Sequence, residues 1–256
     1  AERDPDPEKR KSLMTFVIVG GGPTGCELAG ALSEIARHTL REDFRRINPR
    51  DTQLILVEAG ERVLSQYPPD LSAKALEFLL RLGATVRTGT VLAEIRDHEV
   101  LLKHGDRRES LPARTVIWAA GVKASPLAET LARQTGAPLD RAGRVTVEPD
   151  LTLPGHPEVF VIGDMANFTH QEGRSLPGLA PVAMQQGRYA ARAIAGRLKG
   201  KPAQEPFRYK DRGTMATIGR RAAVAQISRF KLAGFLAWLI WLFVHLIEIV
   251  EFQNRL

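Results

Sequence analysis

A chain of 256 residues, 44% hydrophobic and 25% charged, has the balance of a packed globular protein with room for one large or two ordinary domains, which sets disorder aside. A net charge of +7 suits either nucleic acid or an anionic membrane surface; no zinc knuckle, helix-turn-helix or basic-aromatic signature accompanies it, and an apolar C-terminal segment favours the membrane over nucleic acid. The single cysteine, Cys26, excludes an internal disulfide and a paired-cysteine redox centre, and fits a reducing compartment.

Residues 1 to 13 are charged, carry Pro5 and Pro7, and read as a linker. The opening AERDPDPEKRKSLM has no signal-peptide core, and the sequence reads as a piece of a longer chain. TFVIVGGG at 15 to 22 predicts a buried parallel strand, followed by a long helix from Pro23 to about Arg46 with Leu28, Leu32, Ile35 and Leu40 on one side. QLILVEAG at 53 to 60 predicts the next strand and closes a βαβ unit. A second helix covers 70 to 82, and β-like runs at 84 to 88, 91 to 95, 99 to 103 and 115 to 119 complete an α/β domain over residues 14 to 121. From Gly121 the chain predicts loops, strands at 144 to 147 and 159 to 164, and a helix from Pro181 to Leu198. Runs at 206 to 210, 213 to 219 and 222 to 227 suggest a small antiparallel sheet in a region 201 to 231, and a last apolar helix takes 232 to 256.

The chemistry begins at Gly20, Gly22 and Gly25, a G-x-G-x-x-G between strand and helix, with Ala29 allowing the helix to pack close. Gly20 permits the turn, Gly22 lets the backbone approach a pyrophosphate, and the helix start offers free N–H groups to it. Glu58, at the end of the second strand, suits the adenosine ribose hydroxyls and repels the extra phosphate of NADP. Its distance from Gly25 exceeds the usual ~20 residues, which a projecting second half of the helix would explain. Arg62 is of the type that takes a 2′-phosphate, but its plainer reading as a solvated surface charge is preferred. Cys26 reads as a small packed residue, although the helix start could activate it. Asp164, at a strand end, is equally a helix cap or an acceptor for a cofactor hydroxyl when taken alone. The histidines at 38, 98, 104, 156, 170 and 245 show no H-x-x-x-H pairing and no G-x-S-x-G is present, so neither a metal site nor a nucleophilic elbow is predicted.

In order along the chain, FVIVGGGPTGCELAGAL, TVIWAAGV, VFVIGDMA, AMQQGRYAA and RGTMATIGRRAAVA resemble type II NADH dehydrogenase, the single-polypeptide, non-pumping NADH:quinone oxidoreductase with FAD. The resemblance runs from about residue 13 to the end. It implies a Rossmann-like α/β fold with two dinucleotide-binding domains, the NADH domain inserted in the FAD domain. Here 14 to 121 resembles the insert and 122 to 200 the return to the FAD domain. It also implies that Ala120 and Gly121 lie where nicotinamide meets the flavin, that Glu27 sits beside the nicotinamide end, that Asp164 takes a flavin ribityl hydroxyl with Ala183 nearby, and that Gln185 and Gln186 border flavin and quinone. Their plainer reading is a polar helix face. Pro181 stands where relatives often carry another Gln, which puts a quinone contact there in doubt. Without a second glycine motif the chain alone has no cradle for the adenosine half of FAD, and it should be inactive in isolation.

The run at 232 to 250 contains His245 and Glu248 and is shorter in its uninterrupted part than the ~20 residues of a membrane span, so a helix lying in the interface on the cytoplasmic face is expected. Helical spacing puts Trp241, His245 and Glu248 on one face. Trp238 and Trp241 suit the headgroup level, with Arg229, Lys231 and Arg255 as anionic-lipid contacts. A buried core helix is the soluble alternative. The reading is thus an enzyme moving a hydride from NADH to FAD and two electrons onward to a membrane quinone, a homodimer being open. Its rivals are another flavin-dependent pyridine-nucleotide reductase, which the lone cysteine disfavours, and a membrane-bound NADH-binding module without turnover.

Overall fold

A computed structural model describes residues 1–40 and 42–248, the side chain of Glu248 excepted. The chain forms two compact units, one of Ala1–Gly121 together with the stretch from Gly213, the other of Val122–Arg212.

The first unit is built on β1 (Thr15–Val19), β2 (Gln53–Val57), β3 (Thr85–Arg87) and a strand Thr115–Trp118 that becomes β7, in the order β3-β2-β1-β7 and all parallel. Phe16 stands opposite Leu54 on one side and Thr115 on the other. Val17, Ile18 and Leu56 are wholly buried, as the central strands of a sheet covered on both faces must be. A three-stranded antiparallel sheet, β4 (Thr90–Ile95), β5 (Glu99–His104) and β6 (Arg107–Pro112), is inserted before β7. Sequence reading misses β6 because RRESLP is an exposed edge strand without apolar alternation.

Residues 1 to 13 are not wholly a linker: α1 (Pro7–Leu13) forms there, its start capped by Asp6, which accepts from the N–H groups of Glu8 and Lys9. The long helix is also shorter than expected. α2 (Pro23–Glu34) passes into a π-helical turn, Ile35–Thr39, and stops. The N–H groups of Arg45, Arg46 and Ile47, which a helix to Arg46 would use internally, go instead to the Glu2 carboxylate at 3.1–3.2 Å. The excess spacing between Gly25 and Glu58 is therefore a π turn and a loop. α3 (Pro69–Arg81) buries Leu71, Ala75 and Leu79, as its periodicity requires.

In the second unit, α4 (Leu127–Thr135) occupies a stretch expected as loop and ends at Gly136, whose left-handed backbone (φ +73°) closes the helix. Four short strands follow: β8 (Val145–Thr146), β9 (Thr152–Leu153), β10 (His156–Phe160) and β11 (Ala166–Asn167), β9 antiparallel to β10 and β8 parallel to β11. The strand expected at 159 to 164 thus ends at Phe160. α5 (Ala180–Leu198) packs Tyr189 edge-to-face on Phe207, which meets Phe168 in the same way, with ring centroids 5.6 and 5.3 Å apart.

Back in the first unit, β12 (Thr214–Gly219), β13 (Ala222–Ile227) and β14 (Phe230–Gly234) form an antiparallel sheet in sequence order, and α6 (Phe235–Glu248) follows. The stretch 206 to 210 adds no strand to it. The last helix starts at Phe235 rather than 232 because residues 230 to 234 pair with β13, Lys231 opposite Gln226. α2 lies directly on β12: a Cβ on Gly30 would overlap the Ile218 carbonyl oxygen, so only glycine permits this approach. Ala223 and Ala225 of β13 make the matching small surface under Ala237 of α6.

Candidate functional site

The glycine turn is built by backbone against backbone. β1 ends at Val19, the chain turns through Gly20 with φ +107°, and α2 begins with Pro23 at its first turn. A Cβ on Gly20 would come within 2.9 Å of the Ala119 carbonyl, and one on Gly25 would overlap the Gly20 oxygen, so β1, β7 and α2 meet at van der Waals contact only with glycine at both places. Gly22 is different. Its side of the turn is open space, and it caps α2 without any side chain, leaving the first N–H groups of the helix to an anionic partner.

Glu58 reaches this turn from the end of β2. One carboxylate oxygen accepts the Gly21 N–H at 2.5 Å and the other the Gly60 N–H at 2.6 Å. Both oxygens keep further lone pairs, so a diol could be accepted by a carboxylate already fixed in place. Arg62 is partly exposed but not free for a phosphate: its guanidinium donates to the carbonyls of Tyr67 and Ser65 at 2.8 and 2.7 Å. Ala120 and Gly121 follow β7 beside Gly20, and the exposed Trp118 indole donates to the Ala120 carbonyl at 2.8 Å. Gly20, Gly22, Gly25, Glu58, Ala120 and Gly121 therefore gather at the C-terminal edge of one parallel sheet, where open α/β sheets take ligands.

Cys26 is fully buried, its Sγ 3.4 Å from the Gly21 oxygen, and burial pushes its thiol up to about 12, with the charges of Glu27 and Glu58 adding to the effect. It is inert packing. Glu27 in the first turn of α2 is half-buried, and that burial raises its carboxyl above the ordinary value against two opposing influences: an N–H bond from Thr217 of β12 and the nearby His245 of α6. Nothing in the sequence pairs residues 27, 217 and 245; the contact follows from α2 lying on β12.

In the second unit the site is made by side chains. The 3-10 turn Gly163–Met165 carries Asp164 into a cavity of about 100 Å³, also lined by Arg144, Gly178, Val182 and Gln186. Asp164 caps no helix, since α5 begins at Ala180 after Leu179. Its carboxylate is exposed, stands beside Gly178, and among the described residues receives no hydrogen bond. Ala183 of α5 lies against Gly163. Arg144, missed in sequence reading, is held by Asp140 at 2.7 Å.

Gln185 and Gln186 are not a polar helix face. Gln185 pairs its amide with the backbone of Lys210, donating to its oxygen and accepting its N–H, both at 3.0 Å. Gln171 does the same to Tyr209 at 3.1 and 2.9 Å. The two amides take the part of a neighbouring strand, which is why 206 to 210 looks β-like and joins no sheet. Gln186, 1% exposed, accepts the Gly163 N–H at 2.6 Å.

α6 divides into two faces. Ala237 and Trp238 pack on the alanines of β13, Trp238 remaining partly exposed, and Trp241 stacks on His245 with centroids 4.2 Å apart. Lys231 is tied to Asp70 at 3.0 Å and holds that carboxyl below its usual range. Phe235, Leu236, Leu239, Phe243, Leu246 and Ile247 are all exposed, and at helical spacing they fall within an arc of about 120°. No helix among the described residues is long and apolar enough to cross a membrane. Arg255 and the end of the expected helix lie outside the described residues.

Two family models match the chain: pyridine nucleotide-disulphide oxidoreductase over residues 2–187 and the NDH2 C-terminal domain over 212–256. Type II NADH:quinone oxidoreductase Ndh of Mycobacterium tuberculosis is 42% identical across 100% of this chain and 55% of its own length. A mitochondrial internal alternative NAD(P)H-ubiquinone oxidoreductase A1 of Arabidopsis thaliana is 32% identical over 97% of this chain and 50% of its own. The solved structure of NDH2 from Plasmodium falciparum in complex with NADH shares the fold, with a TM-score of 0.85 over 98% of this chain and 65% of that one at 16% identity. The chain spans about half the length of the curated relatives it matches, and it belongs to the pyridine nucleotide-disulphide oxidoreductase family, with a match to the NDH2 C-terminal domain at its end.

Proposed function

We propose that this chain supplies the NADH site and part of the flavin site of a membrane-attached NADH:quinone oxidoreductase that does not pump protons. The observation that carries the reading is Glu58, fixed by Gly21 and Gly60 at the open side of the glycine turn, in a chain 42% identical to a type II NADH:quinone oxidoreductase. NADH fits these residues. The free N–H groups behind Gly22 would take the pyrophosphate, and Glu58 would take the adenosine ribose hydroxyls while disfavouring a 2′-phosphate by charge repulsion. Arg62 offers no compensating cation, being occupied with two carbonyls. Ala120 and Gly121 would let nicotinamide approach without a side chain in the way.

FAD fits in part. The unpartnered carboxylate of Asp164 in its cavity suits a hydroxyl donor such as the ribityl chain, and the N-terminus of α5, capped by no side chain, offers further donors. FAD, when bound, accepts a hydride from NADH and passes two electrons to a quinone. The protein's task is to orient the partners and exclude water; Glu27, half-buried at the start of α2, would border the nicotinamide end. The exposed stripe of α6 is the kind of surface that lies in a lipid interface, and the exposed Arg229 of the β13–β14 turn suits anionic headgroups. The test is turnover by the full-length protein: NADH-dependent reduction of a quinone, bound to anionic vesicles and lost when Leu239 and Phe243 become Glu, supports the reading. A full-length protein that binds NADH and carries no flavin would favour a binding module instead.

A further inference from the structure

Gln186 is the most deeply buried polar side chain at the second unit's cavity, and its amide is only half used. The Gly163 N–H can only donate, so the oxygen of Gln186 must face it, and the 2.6 Å bond fixes the orientation of the amide. Its Nε2 is thereby left with two N–H donors. Among the described residues no group accepts from Nε2, yet it is not sealed in, for Gln186 lines the cavity into which Asp164 projects. A donor held at the wall of a cavity by a side chain 1% exposed is costly unless something in the cavity accepts from it. Gly163, with its left-handed backbone (φ +67°), has no freedom to supply the contact in another way: its N–H is spent on Gln186, and its turn sets where Asp164 points.

We propose that Gln186 is a positioning residue for the flavin, its oxygen fixing the Gly163–Asp164 turn and its Nε2 donating to an acceptor atom of the bound cofactor, rather than a contact for the quinone. The proposal rests on the FAD reading above. Asp164 and Gln186 then form a complementary pair, an acceptor and a donor set in one cavity on one turn, so a ligand carrying hydroxyls and carbonyls together satisfies both. Gln185, one residue earlier, is held differently, with its amide donating to and accepting from the backbone of Lys210 rather than fixing the Gly163 turn.

The two halves of the amide can be separated in the full-length holoenzyme. Gln186→Glu keeps an acceptor for the Gly163 N–H and replaces the donor with negative charge; Gln186→Met removes both at similar volume. The proposal expects Gln186→Glu to keep its fold, to retain flavin about tenfold less tightly on dilution, to displace the visible absorption band of the flavin it still holds, and to move the flavin midpoint potential to more negative values. Gln186→Met should lose flavin as readily and also unfold earlier. Unchanged absorption, potential and retention in Gln186→Glu would overturn the proposal, as would flavin loss with the absorption band and potential of the remaining bound flavin unmoved, which would make the role structural only. A raised quinone KM with flavin properties untouched would return Gln186 to the quinone side. If the unmodified full-length protein carries no flavin, it is the FAD reading that fails, and that result is seen before any variant is made.

Discussion

At the glycine turn of the first unit, every close approach is made by backbone: Gly20 against Ala119, Gly25 against Gly20, Gly30 against Ile218, with Glu58 the one side chain that closes the turn. At the Gly163 turn of the second unit, the geometry is held by side-chain amides that borrow backbone groups distant in sequence: Gln186 from Gly163, Gln185 from Lys210, Gln171 from Tyr209. The first kind of site tolerates no added atom at Gly20, Gly25 or Gly30. The second tolerates added atoms but not a lost hydrogen-bonding group.

That contrast is broken most sharply at glycine. Gly30→Val has nowhere to place its side chain except the backbone of β12, and the first unit should lose more than about 3 kcal/mol of stability, measured by denaturant unfolding. Gly187→Ala on α5 meets only ordinary contact with Ile162 and should gain up to about 1 kcal/mol from helix propensity. If the two substitutions cost the same, the distinction between the units fails.

Gln185→Ala removes two hydrogen bonds to Lys210 and should cost about 1–2 kcal/mol while leaving NADH affinity unchanged. An unaltered stability with a raised quinone KM would show that Gln185 contacts quinone after all. A smaller effect is expected at Glu27. Its folded-state value lies above that of the unfolded chain, so the favourable contribution belongs to the protonated acid, is complete below about 4.5, and is lost as pH rises through the raised value. Glu27→Gln, which imitates the protonated acid and keeps an acceptor for Thr217, should raise the thermal midpoint at pH 8, and the gain should vanish below pH 4.5. Smallest of all is the response of Cys26 to alkylating reagents: buried, with its thiol pushed up to about 12, it should stay unmodified at pH 8 for as long as the fold persists.

The same contrast explains what could be read from the sequence. The turn at Gly20 to Gly25, the parallel strands around it and Glu58 were legible because each requirement is local, a residue without a Cβ or a carboxylate at a strand end, and the periodicity of α3 was legible for the same reason. Gln185 and Gln186 were not, because their roles depend on Lys210 and Gly163, which no spacing connects to them. The end of α2 was misjudged because apolar spacing through Leu40 says nothing of Glu2 drawing off three N–H groups. The last three residues of β14 were absorbed into the last helix because the apolar run from Leu232 suits either. Gly30 stood in plain view, and its meaning appears only when β12 arrives from the far end of the chain.

The claim that the glycine turn and Glu58 form an NADH site is tested most directly by titrating this chain with NADH and with NADPH, following nucleotide fluorescence, for the unmodified protein and for Glu58→Gln. The account predicts saturable binding of one NADH per chain, weaker binding of NADPH, and a narrowing of that preference in Glu58→Gln. Equal binding of the two nucleotides by the unmodified protein, or no saturable binding of NADH, would contradict it.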